Sequence, residues 1–307
     1  MQFNTRLDAL LSATGLALGL FSASVSISHA APIVVYATYA GSQQGVTVRN
    51  QGLVQTSLFG TGVTASGIAL GVNNDLYISA ANQIRNYNVN GSLINTMTFP
   101  DPAINYTDVD VGDGRVVASY SGSQQGVTIR DYGLNQSFSF NTGFNISGIA
   151  AGANAHVYLS SGNHLYDYLI DGTLVTDMTF PDTGINYTDV AYSNGMVFAS
   201  YSGSQRGVTT RNLALGQTSF FSVAFEIDSI AIGGNNDIFL ASGNHLYNYS
   251  LTGSEITHME FPDAGILYTG IAVAAATAVP EPGSIALVLA GLALIGGVAH
   301  RRKVQKT

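Results

Sequence analysis

Residues Ser121–Arg130 read SGSQQGVTIR, and the phrase recurs as AGSQQGVTVR at Ala40–Arg49 and SGSQRGVTTR at Ser202–Arg211. Successive copies lie 81 residues apart. A second marker keeps the same step: Phe99-Pro100-Asp101, Phe180-Pro181-Asp182 and Phe261-Pro262-Asp263. Two markers in one register define a triplicated unit, and a repeat of this kind decides the architecture before any single residue does.

Each unit divides into two halves of about 40 residues, the size of a propeller blade. In the half from Ser66 to Phe99, the runs SGIALGV, LYISA, IRNYNV and LINTMTF are separated by turn residues at Asn73-Asn74-Asp75, Ala81-Asn82-Gln83 and Asn90-Gly91. Short β-rich runs bounded by Asn and Gly read as strands, and Asn-Gly between two of them reads as a hairpin. The half from Tyr106 to Gly143 repeats the pattern with YTDVDV, RVVASY, VTIRDY and QSFSF. Four strands in each of six halves give an all-β fold, a six-bladed β-propeller over residues 31–278 built from three double-blade repeats. The ends support the count. The first half-unit has only three runs, VVYATYA, GVTVRNQ and TSLFG, and the missing one appears at Tyr268–Ala275 as YTGIAVAA, in register with Tyr106 and Tyr187. A C-terminal strand completing the first blade closes the ring without an open edge.

The even blades, SGIALGVNNDLYISAANQIRNYNVNGSL and its two counterparts, resemble the NHL-type repeat of propeller proteins in the order of small-apolar strand, aliphatic strand, Asn-His and Gly turn. That resemblance implies a fold more than a function, because the family includes both binding scaffolds and enzymes.

Two addresses flank the body. Residues 1–30 combine Arg6, an apolar run at Ala9–Ala23 and Ser28-His29-Ala30, the pattern of a signal peptide cut by signal peptidase after Ala30. Residues 279–307 run from Pro280-Glu281-Pro282 through the apolar stretch Gly283–Ala299 to His300, Arg301, Arg302 and Lys303. Seventeen apolar residues reach about 25 Å as a helix, enough for a short transmembrane helix over 283–299 with the basic cluster left cytoplasmic. The tail resembles the PEP-CTERM sorting signal of exopolysaccharide-forming Gram-negative bacteria. The resemblance implies an exosortase as processing partner, cleavage near Pro280-Glu281-Pro282, anchoring at the inner membrane before processing, and a surface or extracellular destination.

Composition narrows the chemistry. The chain has no Cys, so it offers no disulfide framework, thiolate site or Cys nucleophile. Between Ala31 and Val279 stand six Arg, no Lys and 17 Asp and Glu, a net of −11 that repels phosphate backbones and argues against nucleic acid as a partner. No phosphate loop, dinucleotide fingerprint, Gly-x-Ser-x-Gly elbow or His-Glu-x-x-His motif is present, and no cofactor is implied.

The recurring polar residues fall in loops expected on one face of the disc. They are Gln43, Gln124 and Gln205; Gln83, His164 and His245; and Asp101, Asp182 and Asp263. Amides offer donors and acceptors to sugar hydroxyls, and the 16 Tyr offer rings for stacking. The same residues also serve simply to turn the chain. His164 and His245 invite a metal, but Gln83 stands at their position in the first unit, so each imidazole is expected to donate to a loop carbonyl. Asp108 and Asp189 are matched by Gly270, which leaves any threefold carboxylate ring incomplete. Arg49, Arg130 and Arg211 are expected to pair with carboxylates such as Asp131 or Asp167. Two functions compete: a non-enzymatic surface or matrix protein binding exopolysaccharide or protein, and a lyase or lactonase-like enzyme with a metal in the central channel.

Overall fold

The computed structural model describes residues 33–274; the signal-peptide and transmembrane expectations fall outside them. The described residues form six four-stranded antiparallel sheets and contain no helix. Blade 1 combines Ile266–Ala274 with Val34–Gly41, Gly45–Asn50 and Gln55–Gly60. Blade 2 runs Gly67–Leu70, Asp75–Ala80, Gln83–Asn88 and Leu93–Thr98, and blade 3 Ile104–Gly112, Arg115–Gly122, Gly126–Arg130 and Gln136–Asn141. Blade 4 runs Gly148–Ala151, His156–Ser161, His164–Leu169 and Leu174–Thr179, and blade 5 Ile185–Ser193, Met196–Gly203, Gly207–Arg211 and Gln217–Ser222. Blade 6 runs Ser229–Ile232, Ile238–Ser242, His245–Tyr249 and Glu255–Glu260. The first strand of every blade touches the first strands of both neighbours, so the ring is closed.

Closure is made by the C-terminal strand, as its register predicts. Ile266–Ala274 pairs antiparallel with Val34–Gly41, Val34 opposite Ala274 and Ala37 opposite Ile271. The strand begins two residues earlier than Tyr268, because Ile266 and Leu267 continue the ladder opposite Gly41 and Ala40.

The hydrophobic core is divided among the six junctions. Tyr36, Val46, Ile68 and Leu76 fill the space between blades 1 and 2, and Ala150, Tyr158, Leu165, Ile185 and Tyr187 that between blades 4 and 5. The second strands are buried on both faces, which is why runs such as VVYATYA are nearly continuously apolar. Outer strands are exposed almost throughout, as in QTSLFG, where Phe59 alone is half-buried. Each fully buried Val, Leu or Ile contributes about 1.5–3 kcal/mol, so every junction is a substantial part of the fold's stability.

The three repeated arginines correct the expected ion pairs. Arg49, Arg130 and Arg211 are each 4% exposed and meet neutral oxygens. Their Nη1 atoms donate to the Leu53, Leu134 and Leu215 carbonyls at 2.8, 2.9 and 2.8 Å, and their Nη2 atoms to the Tyr268, Tyr106 and Tyr187 hydroxyls at 3.0, 3.4 and 2.8 Å. Those leucines hold positive φ of 60°, 65° and 59°, a strained conformation that the buried side chain and the guanidinium contact together maintain. The carboxylates are engaged elsewhere: Asp131 caps its own turn through Asn135 N, and Asp167 binds His156 Nδ1 at 2.7 Å.

Candidate functional site

The expected rim residues gather into three clusters, one per repeat. The link from blade 2 to blade 3 crosses the blade 2 loop, where Phe99 N donates to Asn82 O and Tyr106 N to Ala81 O. Asp101 then accepts from Ser123 Oγ at 2.6 Å in the Gly-Ser-Gln-Gln-Gly loop of blade 3 and from Ala103 N at 2.9 Å in its own link. Asp182 repeats this with Ser204 Oγ and Gly184 N at 2.7 and 2.8 Å, and Asp263 with Ser42 Oγ and Gly265 N at 3.0 and 2.9 Å. The hydrogen bonds to Ser123 and Ser204 hold Asp101 and Asp182 below the usual carboxylate range. The three aspartates therefore pin blade links. Gln43, Gln124 and Gln205 lie exposed beside them at the tips of the loops.

The fourth element of each cluster differs between repeats. Gln83 accepts from Arg85 Nε at 3.0 Å and donates to Thr98 Oγ1 at 3.2 Å. His164 does not donate to a loop carbonyl; its Nδ1 lies 2.8 Å from Asp177 Oδ1, because strand pairing sets Thr179 opposite it and Asp177 opposite Tyr166. His245 also has no carbonyl partner: its buried Nδ1 is unpaired among the described residues, and Glu260 is its cross-strand neighbour. Both imidazoles stack on a tyrosine, Tyr166 at 5.4 Å and Tyr247 at 5.8 Å. No group of three His, Asp or Glu among the described residues is arranged to hold a metal ion.

A second polar region lies on the axis. A cavity of about 180 Å³ between the innermost strands is lined by Asp108, Asp110 and Asp189 amid Ile, Val and Ala. A β-bulge between Tyr106 and Asp108, repeated between Tyr187 and Asp189, re-aims these side chains. Each carboxylate then stitches its blade to the next. Asp108 Oδ2 accepts from Ile149 N at 3.0 Å, Asp110 Oδ2 from Ala151 N at 2.8 Å, and Asp189 Oδ2 from Ile230 N and Ser229 Oγ, both at 2.9 Å. Protein encloses all three although Asp108 and Asp110 open partly to the cavity. Burial pushes Asp110 up to about 6 and Asp189 up to about 7. Asp108 is raised well above its ordinary value by burial and then by the charge of Asp189.

Asp110 was not singled out by its sequence. The available signal was the alternation of YTDVDV, which sends Asp108 and Asp110 to one side of a strand whose partners are apolar.

Likenesses to known proteins bear separately on the tail and on the body. Residues 278–303 match the PEP-CTERM protein-sorting motif. The tail carries a sorting signal. The body is similar in fold to a protein of unknown function from Bacteroides caccae, at TM-score 0.64 and 9% identity, covering 79% of this chain and 98% of that one. It is also similar to U3-55K, at TM-score 0.52 and 11% identity, with 66% of each chain covered. At such identities the likeness is one of propeller fold alone, and the NHL-type pattern of the even blades remains a resemblance. No curated protein matches the chain.

Proposed function

We propose that the chain is exported, processed by an exosortase at its tail and displayed at or released from the cell surface, where the propeller acts as a non-enzymatic binding module through its polar rim. The carrying observation is the sorting motif at 278–303 joined to a propeller whose three rim clusters share an Asp, a Ser and a Gln at matching positions. Repeated like residues suit a long, repetitive ligand such as an exopolysaccharide, or a surface protein. An epitope-tagged chain tests the reading. In the wild-type strain it reaches the medium or surface at reduced mass. In an exosortase-deficient strain, or with Pro280, Glu281 and Pro282 changed to Ala, it stays full-length in the inner membrane. Identical mass and location in all strains would refute it.

One observation favours a second reading, an enzyme of lyase or lactonase type. Asp189 is raised to about 7, within the range of a general acid–base at neutral pH. Against it, both Asp189 oxygens are already taken, Oδ1 by Val190 N and Oδ2 by Ile230 N and Ser229 Oγ. Purified chain assayed against lactones and uronate polymers, with and without added Ca²⁺ or Zn²⁺, discriminates: turnover abolished by Asp189→Asn would establish the enzyme.

A further inference from the structure

At the outer end of the junction between blades 4 and 5 lies a groove of about 120 Å³. Phe180 from the blade link, Tyr201 and Phe220 form its apolar walls, and Gln205, Gln217 and Thr209 supply its polar atoms. The Phe180 and Tyr201 rings are 5.8 Å apart, while Phe220 is 62% exposed and presents a free ring. Thr209 is fully buried, yet its Oγ1 has no hydrogen-bond partner among the described residues, and the same holds for Nε of buried Arg211 behind it. Leaving a buried hydroxyl unpaired is unfavourable, so a polar ligand reaching it recovers free energy. No charged side chain lines the groove.

We propose that this groove binds a neutral sugar unit of a polysaccharide, its C–H face on Phe220 and its hydroxyls on Gln205, Gln217 and Thr209. The inference rests on the binding-module reading and gives the ligand class. A pyranose pairs an apolar face with a belt of hydroxyls, matching an aromatic wall beside amides that both donate and accept. A uronate finds no cation in the lining, and the acidic body repels it.

The repeats explain why the site lies here. Strand register sets Thr209 opposite Phe220, Thr128 opposite Ser139, and Thr47 opposite Leu58. Blade 3 keeps the unpaired hydroxyl, at Thr128 Oγ1, but has Ser139 where the platform would be. In blade 1, Arg49 Nε uses Thr47 Oγ1 at 3.3 Å, and Leu58 replaces the ring. Among blades 1, 3 and 5, blade 5 alone combines both halves.

The test is calorimetric titration of the full chain, in a sugar-free detergent, with cello-, β-1,3-gluco- and galacto-oligosaccharides as neutral probes and trigalacturonate as the anionic one. At least one neutral probe is expected to bind one site per chain, with trigalacturonate weaker. Phe220→Ser should weaken binding about tenfold, the loss of ~1.4 kcal/mol of stacking. Ser139→Phe should raise the stoichiometry to two. Both swaps import the residue of a sister blade, and unchanged thermal melting verifies the fold. Equal affinity in Phe220→Ser, preference for trigalacturonate, or no neutral binding would each overturn the inference. If neutral probes fail while isolated matrix polymer or a surface protein still binds, the binding-module reading survives without it. If they bind through Phe220 but the chain is never exported, the site stands and the proposed function falls.

Discussion

The rim and the central channel solve the same threefold problem in opposite ways. At the rim, Asp101, Asp182 and Asp263 make the same two hydrogen bonds in every repeat. In the channel, the corresponding positions are Asp108, Asp189 and Gly270, and each is matched to the residue on the preceding blade. Gly67 abuts Asp108 and Gly148 abuts Asp189, leaving no room for a side chain. Where the later position is Gly270, the preceding blade carries Ser229, whose hydroxyl turns instead to Asp189. Local contacts within a link keep repeats alike; contacts between blades allow a change on one side only with a compensating change on the other.

The largest expected effect comes from breaking that match. A Cβ at Gly148 would fall on Asp189 Oδ1 and lie 2.6 Å from Asp189 Cα. Gly148→Ala should cost about 3 kcal/mol, lowering the melting temperature by roughly 6–12 °C. Next, Gly270→Asp should destabilise by about 1–3 kcal/mol, and adding Ser229→Gly should recover part of the loss in a double-mutant cycle. Purely additive effects would deny the pairing.

The third expectation concerns pH. The channel carboxylates have folded values of about 6 and 7 against 3.8 unfolded, so the stability linked to them is complete below 3.8 and lost as pH rises toward 7. The chain should therefore melt higher at pH 5 than at pH 8, and Asp189→Asn should flatten that slope whatever its effect on absolute stability. Asp101 and Asp182 work in the other sense, their stabilisation present above 3.8 and fading as pH falls below it. The smallest effect is expected at the rim: Ser123→Ala removes one exposed hydrogen bond to Asp101 and should shift the chemical-denaturation midpoint less than any of the changes above.

Blade number, strand order and ring closure were legible because each rests on period-two patterning and on markers at one fixed step. Partners of individual polar side chains were not. The arginines looked like ion-pair donors, but strand register delivers each to a leucine carbonyl held at positive φ and to a tyrosine hydroxyl from the innermost strand of its blade. Of the channel carboxylates, Asp108 and Asp189 were visible as residues and Asp110 was not, and the bulge just before Asp108 and Asp189 could not be read from the sequence. Phe220 was hidden for a different reason: an exposed ring on an outer strand has meaning only beside Thr209, its partner across the sheet.

Ring closure by the last strand carries the whole account, and the absence of native Cys makes it directly measurable. Val34 and Ala274 are paired across the closing ladder and are only half-buried. The double variant Val34→Cys, Ala274→Cys, oxidised at high dilution, should yield a monomer with one intramolecular disulfide and a raised melting temperature. Free thiols, or disulfide-linked dimers in place of the bridged monomer, would contradict it.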